Sequence, residues 1–198
     1  MFPDFKELLA LLNEHKVKYL VIGGYAVSVH AQPRVTKDLD IFILPAPDNA
    51  KAIFKALAEF GAPLSTRTAD GDAVVPRRAL TAKDFEDSTK WFTFGVQPVA
   101  VDILAEIPGV TFKAAWKNRA TRVVDETTGL TAHFISRRDL IAAKLASGRP
   151  QDLADVDALR KAANAVAAVA TKKVFKPKAA KPKATRRKVS KAEPRTPK

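Results

Sequence analysis

The 198-residue chain has no cysteine. That excludes a disulfide framework, a thiolate nucleophile and cysteine-based zinc sites, and it fits a reducing cytosol. Long apolar runs are missing as well. The most nearly apolar stretch, Tyr19 to Val29, is about half of the ~20 residues that a membrane span needs. The opening Met1-Phe2-Pro3-Asp4 carries neither the basic nor the apolar region of a signal peptide. These absences predict a soluble, cytoplasmic protein with no membrane partner. His15, His30 and His133 share no metal-ligand spacing, and the chain holds no Walker-type loop, Gly-x-Gly-x-x-Gly or Gly-x-Ser-x-Gly motif.

Hydrophobic residues make up 46% of the chain, enough for a real core. Charge is unevenly placed. Residues 172–198 hold twelve Lys or Arg against Glu193 alone, a charge of +11, which leaves +2 for residues 1–171. With Pro177, Pro182, Pro194 and Pro197 and few large apolar side chains, 172–198 cannot bury enough surface to offset the entropy of ordering it. The expected organisation is one domain over 1–171 and a disordered basic tail over 172–198. Such a tail either binds polyanions such as RNA or tRNA by counterion release or serves only as solvated charge.

Within the domain, Phe5, Leu8, Leu9 and Leu12 recur at helical spacing, with Asp4 placed as a cap after Pro3. Tyr19 to Ile22 reads as a buried strand stopped by Gly23-Gly24, with a short helix over 25–30. A central strand is expected over 38–44 and a helix over 48–60, whereas 62–90 gives no clear reading. Trp91 to Phe94 and Val99 to Leu104 form a strand pair, followed by a helix over 110–119 and a strand over 130–135. Ser136-Arg137-Arg138-Asp139 has the form of a capping box for a helix ending before Gly148, and a last Ala-rich helix runs over 151–170. The fold class predicted is α+β, a small mixed sheet flanked by helices, with C-terminal helices and a tail.

The chemistry-bearing stretch is Ile22-Gly23-Gly24 followed by Asp38-Leu39-Asp40-Ile41. On a strand, residues i and i+2 share a face, so Asp38 and Asp40 project together while Leu39 and Ile41 enter the core. Paired carboxylates repel unless a cation sits between them, and Mg²⁺ answers with oxygen ligands from one or two carboxylates and substrate phosphates. Val101-Asp102-Ile103 supplies a third strand carboxylate, as two-metal phosphoryl transfer requires. The glycine pair at a strand-to-helix turn lets backbone N–H groups approach a phosphate. Trp91, Phe92 and Phe94 could stack on a base or pack in the core; Arg77-Arg78 could be an electrostatic contact or loop charge.

Together these motifs resemble the nucleotidyltransferase signature of the DNA polymerase beta superfamily. The wording Leu20-Val21-Ile22-Gly23-Gly24-Tyr25-Ala26 and Pro33-Arg34-Val35-Thr36-Lys37-Asp38-Leu39-Asp40 is similar to small bacterial nucleotidyltransferases, including the abortive-infection toxin type. Lys144, Arg149, Asp152 and Asp155 resemble their C-terminal Lys…Arg-x-x-Asp…Asp pattern, with Gln151 where a Lys is common. The resemblance implies transfer of a nucleoside monophosphate from an NTP to RNA, protein or a small molecule. It implies Asp38, Asp40 and Asp102 as catalytic and metal-binding residues for two Mg²⁺ ions. It implies Gly23, Gly24, Arg34, Thr36 and Lys144 as the nucleotide-binding set, and a cognate antitoxin as a partner of a toxin-type member. Two other readings stand beside it: a catalytically idle domain that binds a nucleotide or a protein, and a nucleic-acid-binding scaffold that uses its tail.

Overall fold

A computed structural model describes residues 1–33, 35–61, 64–68, 80–96 and 99–174, with backbone alone at 64–68, 95–96, 99 and 166–174. Arg34, Arg77 and Arg78 and the tail from residue 175 lie outside the described residues.

The chain opens with α1 (Pro3–Glu14), whose apolar stripe Phe5, Leu8, Leu9 and Leu12 is buried. The N-cap is Phe2, with Pro3 in the first turn; Asp4 makes no cap hydrogen bond and sits inside the first turn instead. Pro at the first helical position needs no N–H partner, so the helix starts two residues earlier than a side-chain cap at Asp4 would allow. Then come β1 (Tyr19–Val21), α2 (Gly23–His30), β2 (Leu39–Ile43) and α3 (Pro47–Phe60). The uninterpreted 62–90 stretch contains β3 (Leu64–Thr68) and a 3-10 turn, Ala82–Glu86. β4 (Lys90–Val96), β5 (Val99–Leu104) and α4 (Phe112–Asn118) follow. The described chain finishes with β6 (Ala120–Asp125), β7 (Leu130–Phe134), α5 (Arg137–Ser147) and α6 (Pro150–Val174). Helix α6 continues three residues past the expected domain boundary at 171.

The seven strands form one mixed sheet in the order β3-β4-β5-β2-β1-β7-β6. The class is α+β, as the sequence predicts. Strands β2 and β5 run parallel at the centre, flanked by antiparallel β4 and β1. Except for Asp40, β2 is wholly apolar and buried, as a central strand covered on both faces should be. Leu39, Ile41, Phe92, Val101 and Ile103 join α1 and α3 in one hydrophobic cluster. Burying each such side chain contributes roughly 1.5–3 kcal/mol, so the strand carrying Asp40 is held rigidly.

The C-terminal helices pack on each other and on α2. Ser136 caps α5 by accepting from the Asp139 N–H at 3.1 Å, and its hydroxyl donates to Asp139 Oδ2 at 2.8 Å. Gly148 ends α5 in the left-handed region, at φ 67°. The chain turns there, which lets α6 pack back against α5.

Candidate active site

Strand β1 delivers the glycine pair to the edge of a cavity of about 360 Å³. Gly23 has φ +59°, in the left-handed region that favours glycine. A Cβ there would collide with the Asp40 carboxylate, and a Cβ on Gly24 would collide with the Thr36 hydroxyl. Both glycines are therefore needed to let the β1–α2 turn lie against the strand that carries the carboxylates. The Ile22 N–H donates to Asp40 O at 2.9 Å and pins the turn in place.

Asp40 on β2 stands in register with Asp102 on parallel β5, so the two side chains share a face. Thr93 on β4 lies opposite Asp102, and its hydroxyl donates to Asp102 Oδ1 at 2.6 Å. Burial, then the neighbouring charges of Asp102 and Asp38, push the Asp40 carboxyl up to about 6, against a smaller opposing pull from Lys144 and Arg149. Asp38 falls one residue ahead of β2, and its Oδ1 is buried with no hydrogen-bond partner among the described residues. This donor set is all oxygen, mutually repelling and incompletely satisfied, which is the chemistry a hard divalent cation suits. Among the described residues no three His, Cys, Asp or Glu groups close into a ready-made cage. A cation held by these carboxylates would need further ligands from outside them.

The facing wall comes from α5 and α6. Lys144 is buried, yet borders the cavity. Its ammonium donates to Asp152 Oδ1 and Asp155 Oδ2, each at 2.8 Å. Asp152 Oδ2 also accepts from Ser147 Oγ at 2.8 Å and from Arg149 Nε at 2.7 Å. Burial would raise the Asp152 carboxyl, but the bonds from Lys144, Arg149 and Ser147 outweigh it and hold the group near 2. The Arg149 side chain remains 76% exposed, tethered at one end and open at the other.

Of the residues singled out from sequence, Gly23, Asp40, Asp102 and Lys144 line this cavity. Gly24, Thr36 and Asp38 sit at the turn beside it rather than on its wall. Thr36 donates a long bond, 3.4 Å, to Asp38 O and borders a separate shallow groove with Phe2, Tyr25 and Val35. The aromatic trio divides: Phe92 and Phe94 are core residues, while Trp91 is 41% exposed and lines the cavity. Sequence reasoning missed Thr93 and Glu106, which line it too. Thr93 was within reach, because the pairing of β4 with β5 fixes its register against Asp102; Glu106 lies in a loop with no comparable signal. The histidines have structural partners: His30 Nε2 meets Ile135 O at 2.7 Å, His15 pairs with Glu59, and His133 meets Thr121.

Solved structures with a fold similar to that of this chain are known. Its fold is shared with a lincosamide antibiotic adenylyltransferase, LnuA, solved with lincomycin bound. The TM-score is 0.50 at 14% identity, over 81% of this chain and 96% of that one. The TM1012 protein of Thermotoga maritima, provisionally assigned as a nucleotidyltransferase, aligns at TM-score 0.48 and 21% identity, over 81% and 90% of the two chains. The antibiotic-resistance factor ANT(2'')-Ia aligns at 0.47 and 13%, over 86% and 91%. No curated protein sequence matches. Residues 2–163 match the model of a family described as nucleotidyltransferase of unknown function, DUF6036, and the chain belongs to that nucleotidyltransferase family.

Proposed function

We propose that the protein transfers a nucleoside monophosphate from an NTP to a hydroxyl-bearing acceptor, releasing pyrophosphate. The observation that carries this reading is the pairing of Asp40 with Asp102 on adjacent parallel strands, half-buried and mutually repelling beside a glycine turn that lies against Asp40. The triphosphate lies along the N-terminus of α2, where unpaired backbone N–H groups and the helix dipole favour anionic oxygens. Gly23 and Gly24 keep that approach open, Thr36 braces the Asp38 turn, and Arg34 precedes it in the sequence. Asp38, Asp40 and Asp102 are the residues that would hold Mg²⁺, two ions on the family pattern, and the metal would neutralise charge on the transferring phosphoryl group.

Asp102 is the carboxylate placed to accept the acceptor's proton, with Thr93 fixing its orientation. Arg149 directs its open guanidinium edge to the departing phosphates, while Lys144 holds the helical wall through Asp152 and Asp155. The catalytic unit is residues 1–171, and the basic residues that follow supply a polyanion contact separate from the chemistry. The test is incubation with α-labelled NTPs and Mg²⁺ against pooled tRNA, protein and small hydroxyl compounds. Label moving to one acceptor class, with pyrophosphate released in equal amount, is the expected result. NTP that is neither bound nor turned over under any condition would sink the reading and leave an idle domain.

A further inference from the structure

Resting on that transfer reading, we infer that the acceptor is a small, ring-bearing, cationic hydroxyl compound seated over Trp91 and Glu106. The argument begins with direction. In-line displacement puts the attacking oxygen opposite the leaving pyrophosphate. Across the sheet the order is β1, β2, β5, β4, so the glycine turn, Asp40, Asp102 and Thr93 stand in that sequence. Neighbouring strands lie ~4.8 Å apart, so the span from β1 to β4 is about 14 Å. With pyrophosphate at the glycine turn and the α-phosphorus by Asp40, the acceptor oxygen lies by Asp102 and the acceptor's body over β4.

What waits on β4 is Trp91, two residues before Thr93 on the same face and paired with Leu104. It is 41% exposed on the cavity wall, whereas its neighbours Phe92 and Phe94 are buried. A tryptophan left partly in water at a cavity wall offers a flat apolar face for a sugar-like ring, and its π-cloud attracts a cation. Glu106 enters the same cavity from the loop after β5, exposed and with no ion-pair partner among the described residues. The cavity's basic groups, Lys144 and Arg149, are bound to Asp152, and Lys144 to Asp155 as well. The acceptor end therefore carries excess negative charge beside an aromatic face. That combination attracts an ammonium-bearing ring and repels a phosphodiester chain.

The step balances without any further reactant. The acceptor hydroxyl gives its proton to Asp102, its oxygen forms a bond to the α-phosphorus, and the bond to the bridging oxygen breaks with its electrons leaving on pyrophosphate.

The test offers the full-length protein α-labelled ATP or GTP, Mg²⁺ and one of four acceptors. These are a series of amino sugars from glucosamine to kanamycin, the same compounds N-acetylated, pooled tRNA, and a Ser/Thr/Tyr peptide pool. Transfer to members of the amino-sugar series, abolished by acetylation, is expected. Glu106→Gln and Trp91→Ala should each raise the acceptor KM about tenfold, as expected for losing one charge-assisted or cation–π contact. The rise should exceed any change in the KM for NTP, with partial rescue by Glu106→Asp and Trp91→Phe. Thermal melts show whether each variant folds. Transfer to tRNA or peptide alone, or NTP turnover with label on none of the amino sugars, overturns this inference and leaves the transfer reading standing. Failure to bind NTP overturns both.

Discussion

Two sets of aspartates face the same cavity and are treated oppositely. On the helical wall, Asp152 and Asp155 share Lys144, and Asp152 takes further bonds from Ser147 and Arg149. Burial there is compensated, and the Asp152 carboxyl sits near 2. On the sheet, half-buried Asp40 is pushed up to about 6 by burial and by the charges of Asp102 and Asp38, and Asp38 Oδ1 has no partner among the described residues. Among the described residues, the Thr93 hydroxyl answers Asp102 on that side. A fold that pairs one set so fully has the means to pair the other. On the proposed transfer reading, the unanswered set is the one whose missing positive charge would arrive with the substrate. That reading makes the helical set scaffold and the sheet set a site held in readiness at a cost to stability.

The strongest way to break this contrast is to remove the sheet charge. Asp40→Asn should lower transfer at least about a thousandfold, since electrostatic stabilisation of the transferring group is commonly the largest catalytic contribution. In metal-free buffer the same variant should be as stable as the wild type or more so, by on the order of 2 kcal/mol, because the raised carboxyl marks a charge that folding disfavours. Denaturant unfolding with and without Mg²⁺ checks both halves: the wild type gains stability from the ion, and Asp40→Asn gains much less. A variant that is strongly destabilised would show that Asp40 is scaffold after all.

The matching change on the helical wall should do the reverse. Lys144→Ala leaves Asp152 and Asp155 as buried charges without their shared partner, which should cost about 3–5 kcal/mol of stability. Activity measured below the new melting point should fall less than in Asp40→Asn. If Lys144→Ala folds normally but loses NTP binding, the ammonium is a phosphate ligand first and a brace second.

Acid separates the two sets by sign. A carboxyl held near 2, such as Asp152, contributes stability above its unfolded value of about 4 and loses it as pH falls from 4 towards 2. Asp84 behaves alike: burial opposes its ionisation, but Thr81 and Lys90 outweigh that and hold it near 2. Asp40, raised to about 6, has the opposite slope: metal-free stability grows as pH drops from 7 towards 4. The contribution of these carboxylates to metal-free stability should therefore peak near pH 4, with shifts of roughly 1–2 kcal/mol on either side; His30 and His133, held below the usual imidazole range by burial, act against the limb above pH 4 in wild type and variant alike. Asp40→Asn should flatten the limb above pH 4 and leave the limb below it. Melting temperatures from pH 2.5 to 8 in chelator give the answer.

How much of this was legible in the sequence follows the range of each signal. The glycine turn and the Asp-x-Asp strand are local: a strand stopped by Gly23-Gly24 and the alternation around Leu39 and Ile41 need no knowledge of distant residues. The capping of α5 by Ser136 and its end at Gly148 are equally local. Strand β6 was missed because an edge strand shows no core face; its residues 121–123 are exposed, so Ala120–Asp125 carries no apolar alternation. The facing wall needed long-range pairing, since Thr93 acquires its role only when β4 lies against β5. Trp91 looks like its buried neighbours in composition, and only the pleat of β4 separates the exposed ring from the core ones. Glu106 depends on how the loop at Gly109 packs against Ala146 of α5, which no local pattern encodes.

The finest probe of the contrast is the one bond on the sheet side that does look like scaffold. Thr93 Oγ1 donates to Asp102 Oδ1 at 2.6 Å, and the two residues face each other across β4 and β5. Thr93→Val keeps the β-branched shape and the strand propensity but removes that hydroxyl, so the change in folding should stay within about 1 kcal/mol. If Thr93 fixes the carboxylate that accepts the acceptor's proton, loss of the bond lets Asp102 turn. The kcat should then fall about five- to tenfold, the equivalent of one hydrogen bond of about 1 kcal/mol, with the KM for NTP nearly unchanged. Thr93→Ser restores the hydroxyl and should recover most of the rate. A Thr93→Val enzyme with wild-type kcat would place Thr93 among the structural residues and leave Asp102 oriented by its strand alone.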